Sequence, residues 1–199
     1  MSPIFINNFL PNQIFNLVNS YCIIKYSNLK TFKIDDQSNS LIGQYGDPLM
    51  ETLLDMSTPV IEKNVGKNLF PTYSYFRIYD KLSDLKVHTD RDSCEYTVAL
   101  CVGADPKEIP YNIYIGEEND NSDYKYKSKE KNLSLQIENK FKMLPNDALI
   151  FQGTDKYHWR EECIHDHYMT VFLHYVDQNG EYSELKFDGR TMLGQLKTK

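Results

Sequence analysis

The tightest constraint on this chain is the change of pattern near Phe70. From there the sequence runs in short segments rich in aromatic and β-branched residues, at 73–79, 96–102, 111–115, 133–137, 148–151 and 169–176. Such residues suit a pleated, half-buried surface, and several short strands at this spacing predict a sandwich or barrel.

The first 69 residues read as helical support. Leu10-Pro11-Asn12 can open a helix with proline in its first turn, after which Ile14, Leu17, Val18 and Cys22 recur at helical spacing. A second helix is expected from Asp47, an N-cap before Pro48, through Leu53, Leu54 and Met56, with a break at Thr58-Pro59 and a continuation towards Val65. The organisation expected is one domain over 1–199, with helical support at 1–69, the β core at 70–177 and an extension at 178–199 that starts on the turn signal Asp177-Gln178-Asn179-Gly180.

The net charge of -6 and pI near 5.4 provide no broad basic field, so binding to nucleic acid or an anionic membrane is not expected. Residues 1–10 lack a basic start followed by an apolar core, and no apolar run approaches the roughly 20 residues that span a bilayer, which predicts a soluble cytoplasmic protein. Cys22, Cys94, Cys101 and Cys163 form no CxxC pair and read as reduced thiols. The segment 117–132, where acidic residues give way to alternating Tyr and Lys, is too polar for core and is expected as a surface loop or lid; such a segment can also contact a nucleic-acid backbone.

The chemistry-bearing pattern is Leu85-Lys86-Val87-His88-Thr89-Asp90. On an extended strand, residues at i and i+2 share a face, so His88 and Asp90 can meet one metal ion. A third ligand is available in His158, just after the apolar run 148–151. Two histidines and one carboxylate leave about three positions of an octahedral iron(II) open for a bidentate cosubstrate and dioxygen. An HxD pair alone is weak evidence, since it often occurs as a surface pair.

Its context is more specific. A tyrosine-rich strand ends in Arg77-Ile78-Tyr79 before the HxD, a strand at 96–102 follows it, and Leu144-Pro145-Asn146-Asp147 turns into the apolar run ahead of His158. With these features, residues 73–176 resemble the prolyl-4-hydroxylase-like branch of the 2-oxoglutarate and iron(II)-dependent oxygenases. The resemblance implies a mainly β fold, a double-stranded β-helix (jelly-roll, cupin-like) backed by N-terminal helices. It also implies iron ligation by His88, Asp90 and His158, 2-oxoglutarate and dioxygen as cosubstrates, and Tyr79 beside the 2-oxoglutarate. The implied reaction hydroxylates a C–H bond with release of succinate and carbon dioxide.

The chain departs from that family at the basic residue that follows the distal His and pairs with the far carboxylate of 2-oxoglutarate. Its place falls here on His167, Tyr168 and Met169. Arg160 is the favoured substitute, because it shares a face with His158 on an extended segment and its guanidinium can grip a carboxylate in bidentate fashion. Arg77 and His167 are the other candidates. His165-Asp166-His167 reads as a solvated loop, His174 as a core histidine satisfied by hydrogen bonds, and Trp159, Tyr73, Tyr75, Tyr96 and Tyr157 as core or pocket-lining rings.

The sequence contains no GxSxG, P-loop, GxGxxG or HExxH signature. The expected partner is a protein, peptide or small-molecule substrate. Two alternatives stay open: a non-catalytic cupin-like ligand-binding module, which the departure after His158 favours, and a metal-dependent cupin enzyme that does not use 2-oxoglutarate.

Overall fold

The computed structural model describes residues 1–28, 42–118 and 137–195. These form, in order, β1 (Ile4–Ile6), α1 (Asn12–Tyr26), β2 (Ile42–Tyr45), α2 (Pro48–Val65), β3 (Leu69–Tyr79), β4 (Leu85–His88), β5 (Tyr96–Asp105), β6 (Tyr111–Glu118), β7 (Ile137–Met143), β8 (Ala148–Gln152), β9 (Lys156–Arg160) and β10 (His167–Asp177). A major sheet has the order β1-β8-β5-β10-β3-β2 and a minor sheet β4-β9-β6-β7, with antiparallel neighbours. The two facing sheets are the jelly-roll, or double-stranded β-helix, implied by the resemblance.

Strand alternation divides the interior into two layers. On β5, Val98, Leu100 and Val102 pack with Val18, Cys22, Leu54 and Ile61 of the helices, whereas Ala99 and Cys101 join Ile113 and Ile115 of the minor sheet. β3 alternates likewise: Phe76 and Ile78 face the helices, and Tyr75 and Tyr79 face the space between the sheets. That space holds the site.

Asp47 caps α2 as expected, accepting from the Leu49 and Met50 amides at 3.0 and 3.2 Å. It also accepts from Tyr21 and Lys25 of α1 at 2.8 and 2.5 Å, which ties the two helices together. The break expected at Pro59 does not occur: α2 runs through it. The amide that proline lacks would have served the Asp55 carbonyl, and both residues lie on the exposed side, where water can replace it. Met56, expected in the apolar stripe, is exposed as well.

Two strands escape the sequence reading. β1 and β2 belong to the first 69 residues yet pair with β8 and β3 of the major sheet. Of the strand expected at 133–137, only Ile137 is among the described residues, where it opens β7; in that strand Lys140 and Lys142 alternate with Phe141 and Met143. Of the loop expected at 117–132, Glu117 and Glu118 end β6 and the rest lies outside the described residues. The four cysteines are free and buried. No helix among the described residues is long and apolar enough to cross a membrane.

Candidate metal centre

β4 and β9 are neighbours in the minor sheet, and their register sets His88 opposite His158, with ring centres 4.2 Å apart. β4 ends at His88, so Asp90 is placed by the following turn, where its amide donates to the Gly153 carbonyl at 2.8 Å. The three side chains predicted from sequence are brought together: one donor atom from each lies within 4.8 Å of the others. Asp90 Oδ1 sits 3.6 Å from His88 Nε2 and 3.5 Å from His158 Nε2.

The hydrogen bonds on the far side of each ring decide what those Nε2 atoms offer. His88 Nδ1 lies 2.7 Å from the Lys86 carbonyl and His158 Nδ1 3.0 Å from the Lys156 carbonyl. A carbonyl only accepts, so each Nδ1 carries a proton, and in the neutral form of each ring Nε2 presents its lone pair to the centre. Burial, and then the neighbouring His158, lower the pKa of His88 and favour this neutral form. Burial works to raise the Asp90 carboxyl, but the facing His158 and His88 outweigh it and hold Asp90 well below the usual carboxylate range. Two imidazole Nε2 atoms and a carboxylate converge on one point, an arrangement that a cation bound there stabilises.

Two residues beyond His158 on the same strand face, Arg160 is 1% exposed. Its Cζ lies 4.8, 5.1 and 5.6 Å from the ring centres of Tyr111, Tyr168 and Tyr79. One guanidinium nitrogen, Nη1, donates to the carbonyls of Tyr111 and Asn112 at 2.9 and 3.3 Å. Nε and Nη2 are buried with no hydrogen-bond partner among the described residues. An unmatched buried donor costs about 1–3 kcal/mol, more when charged, so these two nitrogens form a ready binding face for an anion.

Tyr79 forms one wall of this cage, with its ring against Tyr111 and Tyr168. Arg77 is buried on the same face of β3, reaching the Tyr79 hydroxyl at 3.3 Å and packing on Tyr75 and Phe172. His167 stands away from the cage, against Tyr26 of α1. The solvated loop expected at 165–167 is found only in part: Asp166 is exposed in a bend and His167 opens β10, but His165 is fully buried beside Tyr111 and Tyr168, bonded to the Ile109 carbonyl at 2.8 Å. His174 is satisfied by Thr97, as expected of a core histidine. Trp159 points the opposite way from its neighbours His158 and Arg160 and stacks on Tyr114, which removes it from the pocket lining.

Sequence reasoning missed Tyr111 and Tyr168 of the cage, and Thr97, whose hydroxyl meets Asp90. Nothing in their local sequence separates them from ordinary core residues; only strand register brings them to the site.

No family model matches the sequence, and no curated protein is detectably similar to it. Solved structures do share its fold. The viral collagen prolyl hydroxylase of Paramecium Bursaria Chlorella virus-1, in its 2OG complex, superposes with a TM-score of 0.58 at 10% identity, covering 88% of this chain and 96% of that one. A Trichoplax adhaerens prolyl hydroxylase, in complex with a peptide fragment of hypoxia inducible factor, gives 0.56 at 14% identity over 88% and 84%. The non-heme alpha-ketoglutarate-dependent carbocyclase SnoK from nogalamycin biosynthesis gives 0.65 at 12% identity over 88% and 80%. The chain thus has the double-stranded β-helix of the prolyl hydroxylases and other 2-oxoglutarate and iron(II) oxygenases.

Proposed function

We propose that this protein is an iron(II)- and 2-oxoglutarate-dependent dioxygenase that hydroxylates a C–H bond of a protein side chain or small molecule, releasing succinate and carbon dioxide. The observation that carries the reading is one barrel interior holding both a His–Asp–His donor set and, on the same face of β9, a buried guanidinium with two unmatched nitrogens.

The residues fit the group they are asked to hold. The Nε2 atoms of His88 and His158, with Nδ1 already engaged by backbone carbonyls, and the Asp90 carboxylate suit a ferrous ion, and Arg160 suits the far carboxylate of a 2-oxo diacid, with Tyr79 at its side. Two residues of β strand separate His158 from Arg160 by about 6.6 Å, a span that a short diacid can bridge. When bound, iron(II), 2-oxoglutarate and dioxygen supply the oxidative decarboxylation and the oxidant for the C–H bond. This chain's own part is to hold the donor set, neutralise the cosubstrate and keep water out. Tyr79, Tyr111 and Tyr168 wall the guanidinium, and low polarity around it strengthens its attraction for a carboxylate. Arg77, packed on the same Tyr79 ring, is the second cation placed to meet cosubstrate or substrate.

The substrate reading, peptide or small molecule, draws on structural neighbours of both kinds and on the absence of a broad basic field. The non-catalytic cupin-like alternative drew on the basic residue missing after His158, and the buried Arg160 weighs against it.

The test is anaerobic titration of the purified protein with iron(II) and then 2-oxoglutarate. A weak visible charge-transfer band, followed by succinate release in air, is the expected result. Absence of both overturns the proposal.

A further inference from the structure

Asp90 has two carboxylate oxygens with different surroundings. Oδ1 faces His88 and His158, and Oδ2 lies 2.8 Å from Thr97 Oγ1. Thr97 in turn lies 3.0 Å from His174 Nδ1 and 3.3 Å from the Cys94 carbonyl. Thr97 has one hydroxyl proton to give, and the ionised Asp90 can only accept. The consistent assignment is therefore a chain in which His174 Nδ1–H donates to Thr97 and Thr97 donates to Asp90.

The surroundings are built for that chain. Strand register pairs Thr97 of β5 with His174 of β10, and β10 shifts register against β3 between Leu173 and Tyr175, the irregularity that surrounds His174. Tyr73 and Phe172 lie against the His174 ring, with centres at 4.5 and 6.3 Å, and restrict its rotation. Gly153 supplies the room: a Cβ there would come within 2.6 Å of both Thr97 Oγ1 and the Cys94 carbonyl, and closer still to Asp90 Oδ2. The glycine that fixes the Asp90 backbone through its carbonyl is also the one whose missing side chain lets the Asp90–Thr97 bond exist.

We propose that Thr97 and His174 are positioning residues that hold Asp90 as a one-oxygen metal ligand. With Oδ2 engaged by Thr97, only Oδ1 is free for the metal, and the remaining coordination positions stay open for the 2-oxo acid and dioxygen. Without the Thr97 bond the carboxylate can rotate and take up a second position with Oδ2, competing with the cosubstrate. The inference rests on the oxygenase reading of this site.

The experiment compares wild type, Thr97→Val, Thr97→Ser and His174→Phe by calorimetric titration with iron(II) under argon, by the 2-oxoglutarate charge-transfer band and by thermal melting. Thr97→Val keeps the shape and removes the donor, so iron(II) affinity should fall about 10- to 100-fold, the range found when a hydrogen bond to a metal ligand is lost. Its charge-transfer band at saturating iron should need more 2-oxoglutarate to develop. Thr97→Ser should restore both, and His174→Phe, which keeps a ring but loses the Nδ1 donor, should fall between. Thr97→Val that binds iron(II) and 2-oxoglutarate as wild type does overturns the proposal. If Thr97→Val does not fold, wild-type behaviour of His174→Phe overturns it equally. Failure of wild type itself to bind iron(II) or form the band instead sinks the oxygenase reading.

Discussion

The Tyr168 ring centre stands 5.1 Å from the Cζ of Arg160, and the Tyr168 hydroxyl reaches the Met143 carbonyl at 3.3 Å. The β10 position where the family resemblance looks for a basic side chain thus carries an aromatic wall. The cation that this wall shelters arrives from β9. In this exchange relative to the resemblance, β9 supplies the cation and β10 a ring of its cage.

This exchange gives a paired prediction. Arg160→Gln should weaken 2-oxoglutarate binding about 10- to 150-fold, the loss of one charge-assisted hydrogen bond at roughly 1.5–3 kcal/mol. Adding Tyr168→Lys to that variant should recover part of the affinity by returning the cation to β10, while Tyr168→Lys alone should bind more weakly than wild type because two cations then share one cage. Titration of the charge-transfer band measures all three. No recovery in the double variant would place the anion elsewhere.

His88→Ala and Asp90→Ala should each abolish measurable iron(II) binding while the sheet stays folded, because the pairing of β4 with β9 and the Asp90–Gly153 bond are made by the backbone. Circular dichroism with anaerobic calorimetry separates the two effects. Retained iron binding in either variant contradicts the donor set.

Legibility of the site followed the range of the interactions. His88 and Asp90 are two residues apart and Arg160 follows His158 on one strand, so period-2 geometry alone shows that each pair can share a face. The cage and the Asp90 support come from β3, β5, β6, β10 and Gly153 just after β8, and no local pattern marks which tyrosine or threonine in a core strand will meet them. β1 and β2 were hidden for a related reason. Each is short, and a three- or four-residue run is fixed by the sheet edge it joins, not by its own propensity. The persistence of α2 through Pro59 was likewise invisible, since it depends on which side of the helix faces water.

The residue after Asp90 links the metal centre to the C-terminal segment. Arg91 donates twice to Asp188, at 2.7 and 2.9 Å, Tyr45 donates to the same carboxylate at 2.7 Å, and the Arg91 guanidinium lies 4.4 Å from the Tyr73 ring centre. Phe187 and Asp188 both adopt left-handed backbone angles, at about 1–2 kcal/mol per residue, a cost that these bonds help to offset. Asp188→Asn should loosen it. Amide exchange over 183–195 should accelerate about tenfold, discounted because Arg91 is 44% exposed, while α1 exchanges as before. Hydrogen exchange followed by mass spectrometry reads this directly, and equal acceleration in α1 would mean global destabilisation instead.

The same segment is anchored more deeply by Arg190, which makes a two-bond contact with Glu51 of α2 at 2.9 and 3.0 Å and donates to the Thr72 carbonyl at 2.8 Å. Both side chains are almost fully buried, and the Ser74 amide adds a bond to the Glu51 carboxylate at 3.2 Å. Removing one partner leaves the other charge buried and unmatched, a loss of about 3–5 kcal/mol, whereas replacing both by neutral groups avoids that penalty. Arg190→Met should therefore lower the melting temperature by about 6–20 °C for a domain of this size. The double variant Glu51→Gln, Arg190→Met should recover much of that drop. A double variant no more stable than Arg190→Met would show that the arginine acts through its packing on Tyr45 and its bond to Thr72, not through the charge of Glu51.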